Sequence, residues 1–350
     1  MDRDDAAGGL RGLRATPSPE LLEAVCDAYG LGSVDGVVDL GGSSCLNVLV
    51  RDGRRRYVVR VYRPYVTAAR LDDLQRARRE LAAGGVPCSD LVPTQDGQPW
   101  IGLNGRLVEV ERYIEHDDAG MASWERLETA LPMLGHIHTI LQGIATGPDG
   151  KRPVFANHIE SYVVLARTYR GTQRIRGWAS SSAELHLART AEELAHLVAT
   201  TEQDLRVSSL PRQLVHGDFW DNNVFFRNGR VVHITDFDFM GERARIDDLA
   251  LTLYFTSLKY AQNPVSDDHL VRLGRLVDAY DSGLADHLSS AERAALPLAL
   301  ARQPLWSIGG WVALLDDEPS ARRHATGTSW ALDWALEIAR QPDRWQTAFA

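Results

Sequence analysis

The dipeptide Asn228-Gly229 constrains the fold of this chain more than any other two residues. Asn and Gly tolerate the positive φ of a two-residue hairpin turn. Here they stand between NVFF and RVVHITDF, short runs rich in β-branched and aromatic residues. The arrangement predicts a hairpin around Arg227–Arg230, set within a stretch of sequence that otherwise has helical periodicity. Closing that hairpin brings HGDFWDNN (216–223) and DFD (236–238) to neighbouring strand ends. Asp218, Asn223 and Asp236 then converge. An Asn and an Asp are hard oxygen donors of the kind Mg²⁺ takes, its other ligands being water and substrate phosphates. A further carboxylate is left to accept a proton from a hydroxyl. Those are the requirements of phosphoryl transfer.

The rest of the chain changes character once. Residues 17–31 read as an amphipathic helix closed by Gly30. VDGVVDL, LNVLV and RYVVRVY (56–62) read as strands, with a turn at 51–54 and a glycine turn at 41–44. A helix is expected over 68–84, with Leu71, Leu74, Ala77 and Leu81 at helical spacing, and two more strands near 91–95 and 106–113. That makes about five strands and one inserted helix. From Trp124 onward the pattern is mostly helical. It includes 124–141, where Pro132 is a possible kink, and 183–205, with a loop at 143–156. The fold class read from this is α+β.

Composition narrows the partners. The 350 residues carry a net charge of −9, which disfavours non-specific nucleic-acid binding. No run approaches the roughly 20 apolar residues of a membrane span. Cys26, Cys45 and Cys88 are odd in number and lack metal-ligand spacing, so they are read as reduced thiols and the chain as cytoplasmic.

H-G-D-x-x-x-x-N followed by a strand ending in Asp resembles the signature of the aminoglycoside phosphotransferase superfamily. Its relatives include homoserine, choline and methylthioribose kinases with a bilobal protein-kinase-like fold. The resemblance implies Asp218 as catalytic base, Asn223 and Asp236 as metal ligands, and His216 as support for the loop. Asp238 stands where protein kinases have glycine, and Asp248 of DDLA matches a bracing aspartate. LGGSSCLNVLV resembles the family's nucleotide-covering hairpin, with Gly41, Gly42, Ser43 and Ser44 at its turn and Asn47 opening the next strand. Arg60 occupies the place of a phosphate-binding lysine, and Glu80 matches the helix glutamate that pairs with it. The backbone around Glu111 and Tyr113 falls where a linker receives adenine.

The resemblance thus implies a nucleotide-binding lobe over 1–113, with its linker near 109–113, and a helical lobe over 114–350. The implied reaction moves the γ-phosphate of ATP or GTP, with Mg²⁺, to a hydroxyl of a small metabolite or antibiotic. An amine on that acceptor would suit the acidic chain; Asp117, Asp118, Asp316, Asp317 and Glu318 are read first as solvated acidic loops and second as contacts to such an amine. Two rivals stand beside this reading. One is a kinase acting on Ser or Thr of a peptide. The other, motivated by Arg60, is a pseudokinase scaffold. The histidines at 136 and 138 are read as helix-packing residues. Trp306, Trp311, Trp330 and Trp334 have the spacing of a helical core, one or two of them being candidates for a substrate pocket.

Overall fold

The computed structural model describes residues 14–32, 34–42, 45–117, 120–145, 147, 151, 157–260 and 265–350. Helix α1 (Pro19–Tyr29) begins where the Ser18 hydroxyl accepts the Leu21 N–H and ends at Gly30, whose φ of 62° few other residues tolerate. Strands β1 (Val34–Asp39), β2 (Leu46–Asp52), β3 (Arg55–Val61), β4 (Leu91–Val92), β5 (Ile101–Leu103) and β6 (Arg106–Arg112) make one antiparallel sheet. Its spatial order is β1-β2-β3-β6-β4, with β5 also paired to β6. The three-residue β5 was not expected from the sequence, being too short to show alternation. Strand β6 continues to Arg112, so most of the segment expected as a linker is sheet, and the crossing to the helices runs from 113 to 123.

Alternation along the central strands sorts their side chains between the two faces. Leu46, Val48, Val50, Val59, Val61, Val108 and Val110 form a core with Leu21, Val25 and Tyr29 of α1. Helix α2 (Ala68–Ala83) packs Leu71 against Cys45 and Tyr62, while its Leu74, Ala77 and Leu81 join the core of the helical region.

That region begins with α3 (Trp124–Gln142), capped by Ser123. Pro132 lies inside it without ending it. Then come α4 (Val164–Gly177) and α5 (Ser182–Asp204), the latter opened by a Ser181/Glu184 capping box. Strand β7 (Arg212–Val215) follows, then the hairpin β8 (Val224–Arg227) and β9 (Arg230–Ile234), with Arg227 opposite Arg230. Asn228 and Gly229 have φ of 51° and 74°, the doubly positive turn the sequence predicts. Strand β10 (Gly241–Ala244) pairs with β7 and leads into α6 (Arg245–Tyr260). Helices α7 (Asp267–Ser282), α8 (Ser290–Arg302), α9 (Glu318–Gly327), α10 (Ser329–Arg340) and α11 (Pro342–Phe349) complete the chain. The architecture is α+β and bilobal, of protein-kinase-like type. Among the described residues, no helix is long and apolar enough to cross a membrane.

Candidate active site

Strand β7 delivers His216 into a fully buried position. The Asp218 backbone N–H lies 3.2 Å from Nδ1 of His216 and can only donate, so Nδ1 accepts and the ring proton sits on Nε2. Nε2 donates to the Thr235 carbonyl at 3.1 Å. Burial pushes the His216 pKa down to about 4, so the ring stays neutral and ties loop 216–223 to the end of β9. Gly217 has φ of 83°, and a Cβ there would lie 2.2 Å from the Phe239 carbonyl oxygen, so only glycine fits. Asp248, buried in the first turn of α6, accepts the Gly217 N–H at 3.0 Å and faces His138 Nε2 at 3.0 Å through its other oxygen. His138 in turn meets the Tyr280 hydroxyl at 2.7 Å. The Thr252 hydroxyl donates to the Phe219 carbonyl at 2.7 Å.

This frame presents Asp218. Its two carboxylate oxygens accept from Asn223 at 2.8 Å and from Asn157 at 3.1 Å. Burial, and then the nearby Asp236 carboxylate, push its pKa up to about 7 against those two hydrogen bonds. Asn157 was not anticipated. It lies 61 positions before Asp218, and no local motif marks it. Asp236 sits at φ 63°, an uncommon conformation for an aspartate, immediately before a short helical turn at Phe237–Phe239. Asp218, Asn223 and Asp236 all line one cleft of about 800 Å³.

Across that cleft stands Arg60 of β3. Its guanidinium lies 2.6 Å from Asp236 and 2.8 Å from Asp238. Burial opposes its charge, but Asp238 and Asp236 more than offset that, and its pKa lies well above the ordinary value. The sequence-based partner, Glu80, is not there. It is exposed on the outer face of α2, because the phase that buries Leu71, Leu74 and Leu81 turns position 80 outward. The inward charge of that helix turn is Arg78, held 2.8 Å from Glu109 and 2.9 Å from Glu111. Glu111, which also lines the cleft, engages its carboxylate with Arg78 and Ser89. Gly41 and Gly42, at φ 82° and 107°, form the described part of the glycine turn and line the cleft. Asn47 donates to the Gly41 carbonyl at 3.3 Å. Ser43 and Ser44 lie outside the described residues. Tyr113 also lines the cleft, with the Arg56 guanidinium over its ring and its N–H on the Arg56 carbonyl at 3.0 Å.

Residues 35–261 match the phosphotransferase enzyme family, APH. The chain belongs to that family. It is a small-molecule phosphotransferase of kinase type whose acceptor group is an alcohol. It is 27% identical over 251 residues to a homoserine kinase of Caulobacter vibrioides, covering 66% of this chain and 69% of that one. A homoserine kinase of Acidiphilium cryptum is 23% identical over 343 residues, covering 93% and 96%. Among solved structures, a microcompartment-associated aminopropanol kinase superposes with a TM-score of 0.65 at 17% identity, over 95% of this chain and 98% of that one. The amicoumacin kinase hAmiN gives 0.64 at 16%, over 90% and 94%.

The phosphotransferase's cleft also has an aromatic lining. Trp220, Phe255, Trp306 and Trp311 line it together with Asp221 and Lys259. Trp306 immediately precedes a π-helical turn, Ser307–Val312, that contains Trp311, and there the Trp306 ring leaves no room for a Cβ on Gly310. Trp334 is buried in the helical core and Trp330 stacks on it, so those two do not line the cleft. The acidic residues expected near an amine are committed elsewhere. Asp117 accepts the Asn228 N–H, Asp317 caps α9, and Glu318 pairs with Arg322. Asp316 is exposed away from the cleft, and Asp118 lies outside the described residues.

Proposed function

We propose that this phosphotransferase moves the γ-phosphate of ATP to the hydroxyl of a small amine-bearing alcohol. The observation that carries the reading is Asp218: a half-buried carboxylate, fixed from both sides by asparagine amides, with its pKa pushed up to about 7 in a cleft it shares with Arg60 and Asp236. A carboxylate held in that geometry is placed to take a hydroxyl proton as the phosphorus–oxygen bond forms. Asn157 and Asn223 orient it. Gly41 and Gly42 offer close backbone approach to phosphates, and Arg60 offers a planar fork of donors to them.

The donor set also fits a divalent cation. Asn223 and Asp236 are hard oxygen ligands beside Asp218, and Asp236 and Asp238 both stand against the Arg60 guanidinium. Mg²⁺ bound there would neutralise developing phosphate charge. Amicoumacin kinase is described in complex with AMP-PNP and Ca²⁺, which supports a nucleotide and a divalent cation in this fold. The amine is supported by the names of the relatives, homoserine kinase and aminopropanol kinase. It is supported too by the three tryptophan rings that line the cleft, since aromatic faces attract cations.

The test is ATP consumption with homoserine, 1-amino-2-propanol, choline, an aminoglycoside and a serine peptide, with mass spectrometry for the added phosphate. An amino alcohol is expected to turn over fastest. Asp218→Asn should leave nucleotide binding intact and lower turnover by about 10²–10⁴. Turnover within a few-fold of wild type would remove Asp218 from the base role, and activity confined to the peptide would overturn the acceptor class.

A further inference from the structure

We infer that Asp238, on the loop after β9, is the counter-ion that positions Arg60 for the nucleotide phosphates, in place of a glutamate on helix α2. The inference rests on the phosphotransfer reading above and assigns a role within it. Three observations carry it.

The first is helical geometry. Residues 78 and 80 are 200° apart around an α-helix, so Arg78 facing the sheet leaves Glu80 facing solvent. Helix α2 has no carboxylate turned toward Arg60 at that level. Two of its four arginines face inward instead, Arg78 toward Glu109 and Glu111 and Arg70 toward the 238–240 backbone.

The second is the difference between the two carboxylates on Arg60. Asp236 lines the cleft with its side chain 24% exposed, whereas Asp238 does not line it and is 14% exposed. Asp236 faces a ligand and Asp238 stands behind the arginine. When phosphate oxygens and a cation engage Arg60 and Asp236, Asp238 is the partner that remains.

The third is the fixing of Asp238 itself. One oxygen is on Arg60 at 2.8 Å, and the other accepts from the Cys45 thiol at 2.9 Å. Burial, then the Asp238 charge, raise the Cys45 pKa well above its ordinary value, so the thiol remains a donor. The Arg70 guanidinium donates to the backbone carbonyls of Asp238 at 2.9 Å and Met240 at 2.5 Å. Asp238 is thereby anchored from the foot of the glycine hairpin and from α2 together. It is a positioning residue, acting on the nucleotide through Arg60.

The sign of the expected effect separates this from simple electrostatics. Removing a negative charge near a phosphate site should by itself tighten nucleotide binding, whereas losing the counter-ion that aims Arg60 should weaken it. The experiment is calorimetric titration with AMP-PNP, with Mg²⁺ and again in EDTA, on the full chain. Wild type is compared with Asp238→Asn, Cys45→Ala and Glu80→Gln, with melting temperatures recorded. Asp238→Asn is expected to weaken AMP-PNP at least tenfold in both conditions and to raise the KM for ATP while the acceptor KM holds. Cys45→Ala is expected to weaken it two- to fivefold, and Glu80→Gln to stay within twofold of wild type. Unchanged or tighter binding by a folded Asp238→Asn overturns the assignment, as does a loss in Glu80→Gln. If Asp238→Asn does not fold, wild-type affinity in Cys45→Ala overturns it. Failure of wild type to bind AMP-PNP overturns the phosphotransfer reading as well, so the two failures are distinct.

Discussion

Two arginines in the sheet region are each held between two carboxylates, and they do different things. Arg78 sits between Glu109 and Glu111 with both partners 31 to 33 positions away and buried. Glu109 also accepts from Tyr62 and Gln75 at 2.8 Å each. Every charge there is met within the sheet and α2. Arg60 sits between Asp236 and Asp238, about 176 positions away, at the wall of the cleft. The first cluster touches the cleft only through Glu111, has its charges matched on site and holds structure. The second opens toward the place where a polyanion would lie, so one of its bonds can be exchanged for a phosphate. An ion pair becomes functional here through what it faces.

That contrast can be broken experimentally. The largest stability effect is expected at the Arg78 cluster. Arg78→Met leaves two buried carboxylates unmet and should cost about 3–5 kcal/mol in urea unfolding, the range for breaking a buried pair. Arg60→Met should cost less, about 1–3 kcal/mol, because one of its carboxylates, Asp236, borders the cleft, yet it should abolish detectable AMP-PNP binding. Equal stability losses in the two variants would erase the distinction.

Next in size is a pH effect. Burial pushes His233, beside Arg78 and Glu111, and His216, beneath the catalytic loop, down to about 4. Unfolded histidine titrates near 6.5. Below that value the unfolded chain binds protons that the folded one refuses. The stability these groups contribute is therefore complete above about 6.5 and is lost as pH falls toward 4. Each contributes up to about 1.4 kcal/mol per pH unit. His233→Gln should flatten the acid limb of the stability curve between pH 6.5 and 5 by about one proton. An unaltered slope would mean that position 233 does not hold a neutral ring. The smallest effect is expected for Glu80→Gln, within about 0.5 kcal/mol of wild type, as for other exposed positions.

Much of the site was legible because it is local. The β8–β9 hairpin follows from Asn228-Gly229, and once it closes, 218, 223 and 236 share a cleft by chain geometry alone. The helical phase in Leu71, Leu74, Ala77 and Leu81 already turns Glu80 outward, so the resemblance-based pairing with Arg60 conflicted with a signal present in the sequence. Other features are long-range and leave no local trace. Asn157 on Asp218, Cys45 on Asp238 and the pairing of β10 with β7 join segments whose patterns are unremarkable on their own. The commitment of Asp117, Asp317 and Glu318 to caps and ion pairs was equally invisible to a reading that saw only their charge.

The contact of Gly217 with the Phe239 carbonyl bears on how the enzyme handles a reaction cycle. With no Cβ between them, and with His216 spanning to Thr235, the base loop and the 236–240 loop are back to back. They cannot slide past each other without breaking a buried hydrogen bond. The base and the acidic loop thus form a fixed bed. Any widening or narrowing of the cleft falls to the hairpin and sheet above it, which join that bed through Arg60, Arg70 and Cys45. On the proposed function, exchange of nucleotide would lift that upper side while these contacts hold the Asp218 loop and the Asp236 loop together.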